Sequence, residues 1–398
     1  MATARLYYQD PYSTQFDAQV LHSLPGKEGA TGIVLDRTCF YPTSGGQPCD
    51  LGTLDVQSVF DVVEQEAEIV HWVSGKVDGP TVHGTIDWTR RLDHMQQHTG
   101  QHLLSQAFLR VLKAQTVSFH LGAESSTIDL DRPNSLPEEV ASVEKLANEV
   151  VLSDRPVMAR FVAPDELSTF ELRKDPTVRE GIRVVQVEGF DASPCGGTHV
   201  SRTGQVGPIA IRKWERRGQE TRVEFLCGWR ALRDHQWKTR AINELALAFS
   251  IKDRELPDAV LRLMQEAATA RRELQHVREQ QLRVEAIQLT REARSWGDTR
   301  VVLRAFEDRE QQSIRRLASL VVEGPNTIAL LGISDAKGRL IFARSDDLMV
   351  DMADLLRQTC ERFGGGGGGQ ADMAQGGGLP GDRLGDALEW ACRTMTSN

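Results

Sequence analysis

Two short patterns far apart in the chain, His98-Thr99-Gly100-Gln101-His102 and Cys195-Gly196-Gly197-Thr198-His199, constrain what it can fold into more than any other feature. The first lies in a stretch with helical signals. Asp93 is placed to cap the N-terminus, Gln96 stands three residues on as in a capping box, and Leu104, Phe108, Val111 and Leu112 repeat at helical spacing. His98 and His102 are one turn apart, so both imidazoles face the same way. The second pattern reads as a loop whose paired glycines free the backbone, letting Cys195 and His199 turn inward together. Three imidazoles and a thiolate suit a tetrahedral zinc site, whereas magnesium and calcium want oxygen. Either pattern alone also fits ordinary hydrogen-bonded side chains. Together they supply four ligands, three of them from the ten histidines of the chain. A zinc peptidase helix would carry a glutamate directly after its first histidine. Thr99 stands there, which argues against a peptidase.

A chain of 398 residues has room for two or three domains around these patterns. Residues 1 to about 90 read as β. Phe16 to Leu21, Thr31 to Asp36, Val59 to Val63, Ile69 to Val73 and Val82 to Asp87 are short, rich in β-branched residues and separated by glycine and proline turns, which predicts a small barrel. Within it lies Cys39-Phe40-Tyr41-Pro42-Thr43-Ser44-Gly45-Gly46-Gln47-Pro48. That stretch is either a plain turn between strands or a loop lining a polar ligand pocket. In the second case Gly45 and Gly46 offer bare backbone N–H groups and Gln47 a directional amide.

From Asp93 the character becomes α/β. Strands are expected at Thr116 to His120, Thr127 to Asp131, Val157 to Val162, Ile182 to Val187, Ile209 to Trp214 and Thr221 to Leu226. A helix opened by Pro137 should run to Ser153, and a loop should join Gly189 to Cys195. Between residues 212 and 240 nine Lys or Arg face four acids, in a chain whose net charge is −9. That run is either a solvated helix face or a phosphate-contacting surface. Residues 256 to 296 predict one long helix. Its Val260, Leu263, Ala267, Ala270, Leu274, Val277, Gln281 and Val284 form a heptad seam that would pack on its own chain or on another. A second α/β region follows from Arg300, with strands Asn326 to Ile333 and Gly338 to Arg344 and a helix from Met349 to Arg362. Six glycines at 364 to 369 then suggest a linker or a phosphate cradle.

The N-terminus has no apolar core of the kind a signal peptide needs, and no run approaches a membrane helix in length. The six scattered cysteines do not resemble a disulfide framework. A cytoplasmic protein with reduced thiols is expected. The acidic balance gives no global argument for nucleic acid, so any RNA contact must be local.

His98 to Leu104 with Cys195 to His199 resembles the editing domain of alanyl-tRNA synthetase, and the tail Gly364 to Gly369, Asp372-Met373-Ala374-Gln375 and Gly376 to Gly378 resembles that enzyme's C-terminal glycine-rich domain. The resemblance runs over nearly the whole chain. Without an aminoacylation half, it points to the free-standing, AlaX-type long form. It implies an α+β multi-domain protein. The parts would be a β-barrel with a glycine motif (1–90), a zinc-dependent editing core (91–240), a helical arm (241–298) and a C-terminal glycine-rich domain for tRNA binding or dimerisation (299–398).

By the same resemblance the zinc ligands fall on His98, His102, Cys195 and His199. The Tyr41 to Gln47 loop corresponds to the glycine motif, making Thr43, Gly45, Gly46 and Gln47 candidate substrate contacts. Glu215, Arg222 and Glu224 resemble the segment closing the editing core. Gln101 replaces a threonine common in synthetase editing domains and is the candidate to orient water or substrate. Lys213, Arg216 and Arg217 are candidate RNA contacts. The implied activity is trans-editing: zinc-assisted deacylation of Ser-tRNA(Ala) and, as often in the family, of Gly-tRNA(Ala). Mischarged tRNA(Ala) is the partner, with a homodimer through the arm or C-terminal domain as a further expectation. Two rival readings are a non-catalytic RNA-binding protein with a structural zinc and a threonyl-tRNA deacylase.

Overall fold

Short β-branched segments between glycine and proline turns open the chain. Six of them, Gln15–Pro25, Thr31–Leu35, Glu68–Val73, Gln57–Gln65, Gly52–Leu54 and Thr81–Ile86, pair in that order and close into a barrel. Every pairing is antiparallel, and closure leaves no free edge. Phe16, Ile33, Leu35, Leu54, Val62, Ile69 and Ile86 fill the interior. His71 sits among them as a neutral ring, bonded to Ile33 O (2.9 Å) and Thr38 Oγ1 (2.8 Å). The computed structural model describes residues 2–176, 178, 180–335 and 337–397, in two units, Met1–Ala248 and Phe249–Asn398.

Helix α1, Trp88–Leu112, leaves the barrel and enters the core of the first unit. It starts earlier than its sequence pattern suggests. Asp87 is the cap, accepting from Arg90 N at 3.1 Å. Asp93 lies inside the helix and is gripped by Arg230 at 2.8 and 2.6 Å. The capping-box reading of Asp93 and Gln96 is therefore corrected: Gln96 turns inward to Gln205 O. The first turn hides its start because Arg91 is completely buried. Its guanidinium holds Asp50 of the barrel side at 2.5 Å and donates to the carbonyls of Pro11 and Cys39.

Around α1 stand a four-stranded sheet in the order Ile209–Arg217, Glu220–Cys227, Ser126–Leu130, Thr116–Leu121, and a three-stranded sheet, Val157–Phe161, Arg183–Val187, Asp191–Pro194. Helix α2, Pro137–Leu152, begins at its proline as expected. The expected loop from Gly189 to Cys195 contains a strand instead, because Asp191 to Pro194 find a neighbour in Val184 to Val187. Cys195 thus follows directly on sheet structure. Helix α3, Gly228–Phe249, ends the first unit's chain.

The second unit opens with helix α4, Leu256–Arg291. It stops short of residue 296 because Arg294–Trp296 pairs as a strand with Thr299–Glu307. A six-stranded sheet follows: 294–296, Thr299–Glu307, Thr327–Ser334, Gly338–Arg344, Met373–Leu379 and Gly366–Gly369. Helix α5, Gln311–Val321, makes the crossover between the parallel pair 299–307 and 327–334. Helices α6, Met352–Phe363, and α7, Leu384–Ser397, pack into the unit's core. The glycine run is not a linker here. Gly366–Gly369 forms an edge strand against 373–379. A Cβ at Gly367 would come within 2.4 Å of Gly376 Cα, so the strands meet backbone to backbone. No helix among the described residues is long and apolar enough to cross a membrane.

Candidate metal centre

α1 delivers His98 and His102 one turn apart, and the segment after strand Asp191–Pro194 delivers Cys195 and His199. Their four donor atoms lie within 4.8 Å of one another. Cys195 Sγ is 3.3 Å from both His98 Nε2 and His199 Nε2. All three imidazoles are buried, and only Cys195 retains partial exposure. Gly197 is required at its position, since a Cβ there would meet the His98 ring at 2.2 Å.

The second nitrogen of every ring is already engaged. His98 Nδ1 lies 2.8 Å from Gln47 Oε1, His102 Nδ1 3.1 Å from Asp191 Oδ2, and His199 Nδ1 3.1 Å from Thr99 Oγ1. An amide oxygen and a carboxylate can only accept, so His98 and His102 donate from Nδ1 and keep the Nε2 lone pair for the centre. Such outer partners fix ring orientation and tautomer at metal sites. Burial pushes the Cys195 thiol up, but the facing His98 and His199 rings outweigh it and hold the thiol well below its ordinary value. Burial likewise raises Asp191, yet His102 and Arg173 keep it below the usual carboxylate range. Burial drives His199 down to about 3. A soft divalent metal requires a thiolate and neutral imidazoles; the Cys195 thiol is held low, while burial of His102 is outweighed by Asp191 and Cys195, which raise it above its ordinary value. The donor set fits such an ion.

Arg183 clamps the ligand loop from beneath. Its Nη1 donates to Cys195 O (3.0 Å) and Gly197 O (2.9 Å), and its guanidinium lies 5.0 Å from the Tyr8 ring centre.

A cavity of about 270 Å³ opens over the cluster, with Tyr41, Gly45, Gln101, Phe119, Lys174 and Gly196 among its walls. Larger grooves occur along α4 and on the barrel wall, but among the described residues they gather no comparable donor set. Of the sequence-predicted contacts, Gly45 and Gln101 reach this cavity. Gln101 Nε2 is fixed by Ser105 Oγ at 2.8 Å. Thr43 instead accepts from Cys49 N and holds the turn. Gly46 packs on the Phe119 backbone.

Gln47 is fully buried behind His98. Its oxygen faces His98 and Thr198 N, and its nitrogen donates to Thr198 Oγ1. Gln47 therefore supports the ligands and does not line the cavity. Lys213, Arg216 and Arg217 lie exposed on strand Ile209–Arg217. Lys213 pairs with Glu224, Arg217 with Glu215, and Arg216 donates to Gly218 O. Glu224 also holds Arg212, while Arg222 binds Asp129 with both arms. Asp191, Thr99 and Arg183 escaped sequence reading, because nothing in their local pattern marks partners so distant in the chain.

Three family models match. The second additional domain of threonyl and alanyl tRNA synthetases covers residues 182–224, the DHHA1 domain residues 298–397, and tRNA synthetases class II (A) residues 10–90. An alanine–tRNA ligase of Pyrococcus abyssi is 31% identical over 94% of this chain and 42% of its own length. One from Korarchaeum cryptofilum is 34% identical over 96% and 44%. The chain thus spans less than half of these ligases. Alanyl-tRNA editing protein AlaX-L of Pyrococcus horikoshii is 28% identical over 94% of both chains. Among solved structures, the C-Ala domain of Aquifex aeolicus alanyl-tRNA synthetase matches 26% of this chain and 95% of its own at 24% identity, with a TM-score of 0.24.

Proposed function

We propose that this chain, a relative of the alanyl-tRNA editing proteins along nearly its whole length, deacylates mischarged Ser-tRNA(Ala), and Gly-tRNA(Ala) beside it. The observation that carries the reading is the His98, His102, Cys195, His199 cluster, with its outer shell complete, on the floor of a polar cavity. The metal that suits this donor set is zinc. Held by His98, His102, Cys195 and His199, zinc would supply a positive centre that orients the substrate's amine or hydroxyl, and it would act on the ester or on water only where one of the four donors gave way.

The reaction is ester hydrolysis. Water adds its oxygen to the aminoacyl carbonyl carbon, the bond to the terminal ribose oxygen breaks, and that oxygen takes the proton. Gln101, on the cavity wall, is the candidate to orient the attacking water or the serine hydroxyl. One hydrogen of its amide nitrogen goes to Ser105, which leaves the second hydrogen and the oxygen for a ligand in the cavity. A site that hydrogen-bonds a hydroxyl rejects the analogue lacking it far better than a site that measures size. Gly45 offers backbone to the same space, while Gln47 serves by holding His98. Lys174 on the cavity wall supplies positive charge where the RNA end must enter. Arg216, with no carboxylate partner among the described residues, is the most available of the three strand cations for a phosphate. The six free cysteines suit a reducing, cytoplasmic setting.

Hydrolysis assays with Ser-tRNA(Ala), Gly-tRNA(Ala), Ala-tRNA(Ala) and Ser-tRNA(Thr), with zinc present, test this reading. Loss of serine from tRNA(Ala) with Ala-tRNA(Ala) spared is the expected result. Equal hydrolysis of both removes the editing claim, preference for Ser-tRNA(Thr) moves the assignment to the threonine system, and no hydrolysis moves it to RNA binding with a structural metal.

A further inference from the structure

Helix α3 carries the end of the basic run at 212–240. Six of the nine cations in that run are held by carboxylates, and Arg216 donates to Gly218 O. Arg233 and Arg240 are left with no ion-pair partner among the described residues. Both are exposed, and two tryptophans share their face. Trp229, Arg233, Trp237 and Arg240 stand four, four and three residues apart, within about 80° of one another around the helix axis. Trp229 keeps 59% of its surface and Trp237 64%, while Arg230 and Ala231 are buried. Two indoles this bare, alternating with unpaired guanidinium groups, make neither a core face nor an ordinary solvated one. The place where the stripe begins is set by Arg230. Its guanidinium holds Asp93 of α1 and donates to Gly122 O at 2.8 Å. Gly122 follows strand Thr116–Leu121, whose Thr116 to Phe119 wall the cavity over the histidine cluster. It lies three residues beyond Phe119, about 10 Å at strand spacing.

We propose that the stripe Trp229, Arg233, Trp237, Arg240 binds unpaired nucleotides of the substrate RNA beside its aminoacylated end. The proposal rests on the reading of an aminoacyl-RNA ester as substrate. An RNA held by its ester in the cavity leaves over the cavity wall, and the stripe starts at the far end of the strand that forms that wall. Indole faces stack on unpaired bases of any sequence, and arginines between them neutralise phosphates or lie against the bases. Charge selects this partner. Nine cations against four acids between 212 and 240, in a chain whose net charge is −9, draw a polyanion to one place. An apolar protein surface laid on the same face would leave both guanidinium groups desolvated and unpaired, which is costly. The stripe supplies affinity and direction for the RNA end and reads no sequence.

Fluorescence anisotropy of a labelled oligouridine and of uncharged tRNA(Ala), titrated with the full zinc-loaded chain, tests this without any hydrolysis. Trp229→Ala and Trp237→Ala should each weaken binding of both probes about tenfold, and Trp237→Phe should keep most of the affinity. Arg233→Gln with Arg240→Gln should lower the slope of log affinity against log salt by about 1.4. Circular dichroism and zinc content check that each variant folds. Should a tryptophan variant lose helix content, the arginine pair decides, since it removes no large apolar surface. Unchanged affinity and salt slope in the folded variants overturn the proposal, even where Ser-tRNA(Ala) is hydrolysed. Weakened RNA binding with no hydrolysis upholds the stripe and removes only the editing reading. A light-scattering mass that falls on Trp237→Ala while RNA affinity holds gives the stripe to a second copy of the chain and overturns the proposal.

Discussion

The two long helices of this protein invert the usual rule in opposite directions. α1 buries Arg91, Gln96, Gln97, His98, Thr99 and Gln101, while α4 leaves Leu263, Met264, Leu274 and Val284 in water. Burying polar groups costs free energy unless each finds a partner. In α1 nearly all do: Arg91 has Asp50, Gln97 has Cys227, and the histidines have their outer shell. Among the described residues His94 Nδ1, Gln96 Oε1 and Gln106 Oε1 are the exceptions. Most polar atoms of α1 are thus committed within the chain, whereas the apolar side chains on one face of α4 lie in water. The first helix is specified by its own fold. The second leaves one apolar face uncovered by the described residues.

Removing ligands from α1 and its loop should have the largest effect. His98→Ala with Cys195→Ala is expected to abolish both metal binding and hydrolysis. Full zinc occupancy of the double variant by elemental analysis would sink the assignment.

The next effect tests how deeply the start of α1 is tied down. Arg91→Met strands the Asp50 carboxylate in the interior, and breaking such a buried pair costs about 3–5 kcal/mol. Leu261→Gln, on the exposed face of α4 beside the seam, should change stability by no more than about 0.5 kcal/mol. Urea unfolding of both variants compares them, and similar losses would erase the contrast between the helices.

Acid should separate the two units as well. Burial holds His71 at about 4, against 6.5 for the free ring. Above pH 6.5 the ring is neutral in both states and nothing changes. As pH falls toward 4 the unfolded chain takes up a proton that the fold refuses, so stability is lost across that window, by on the order of 3 kcal/mol. His71→Gln should flatten the slope of unfolding free energy against pH between 7 and 5. The same slope in both proteins would remove His71 from the account. The second unit's one histidine, His276, is exposed on α4.

The smallest effect decides what Gln47 does. Gln47→Leu removes the acceptor at His98 Nδ1, and loss of such an outer partner lowers metal affinity about 10–100-fold. Chelator competition would show it, with Gln101→Leu, which touches no ligand, near wild type. Unchanged affinity with eroded serine selection would return Gln47 to the role its glycine motif first suggested.

What the sequence reveals follows the range of the interaction. The cluster of His98, His102, Cys195 and His199 was legible because the spacing within each pair is local, and strand Gly338–Arg344 because its apolar run is continuous. The outer shell was not, since Gln47 and Asp191 meet the histidines only through tertiary packing. The true start of α1 at Trp88 was hidden because its first turn buries an arginine instead of showing an apolar stripe. The end of α4 was set by a strand partner at Thr299 to Val301, which no helical propensity signals.

The edge strand Gly366–Gly369 has one further consequence. Side chains ordinarily tell a strand which alignment is the right one, since a shift by one place turns its faces over. Six identical residues without side chains carry no such marks. Slipping them along Met373–Leu379 would exchange one glycine for another and alter no packed surface. The alignment is therefore kept from the end of the strand, by the hairpin in which Gln370 N donates to Met373 O at 2.8 Å and Arg344 N to Asp372 O at 2.9 Å. A single residue inserted in that hairpin would leave the glycine strand free to choose its neighbours again, whereas one added among the glycines would pass almost unnoticed.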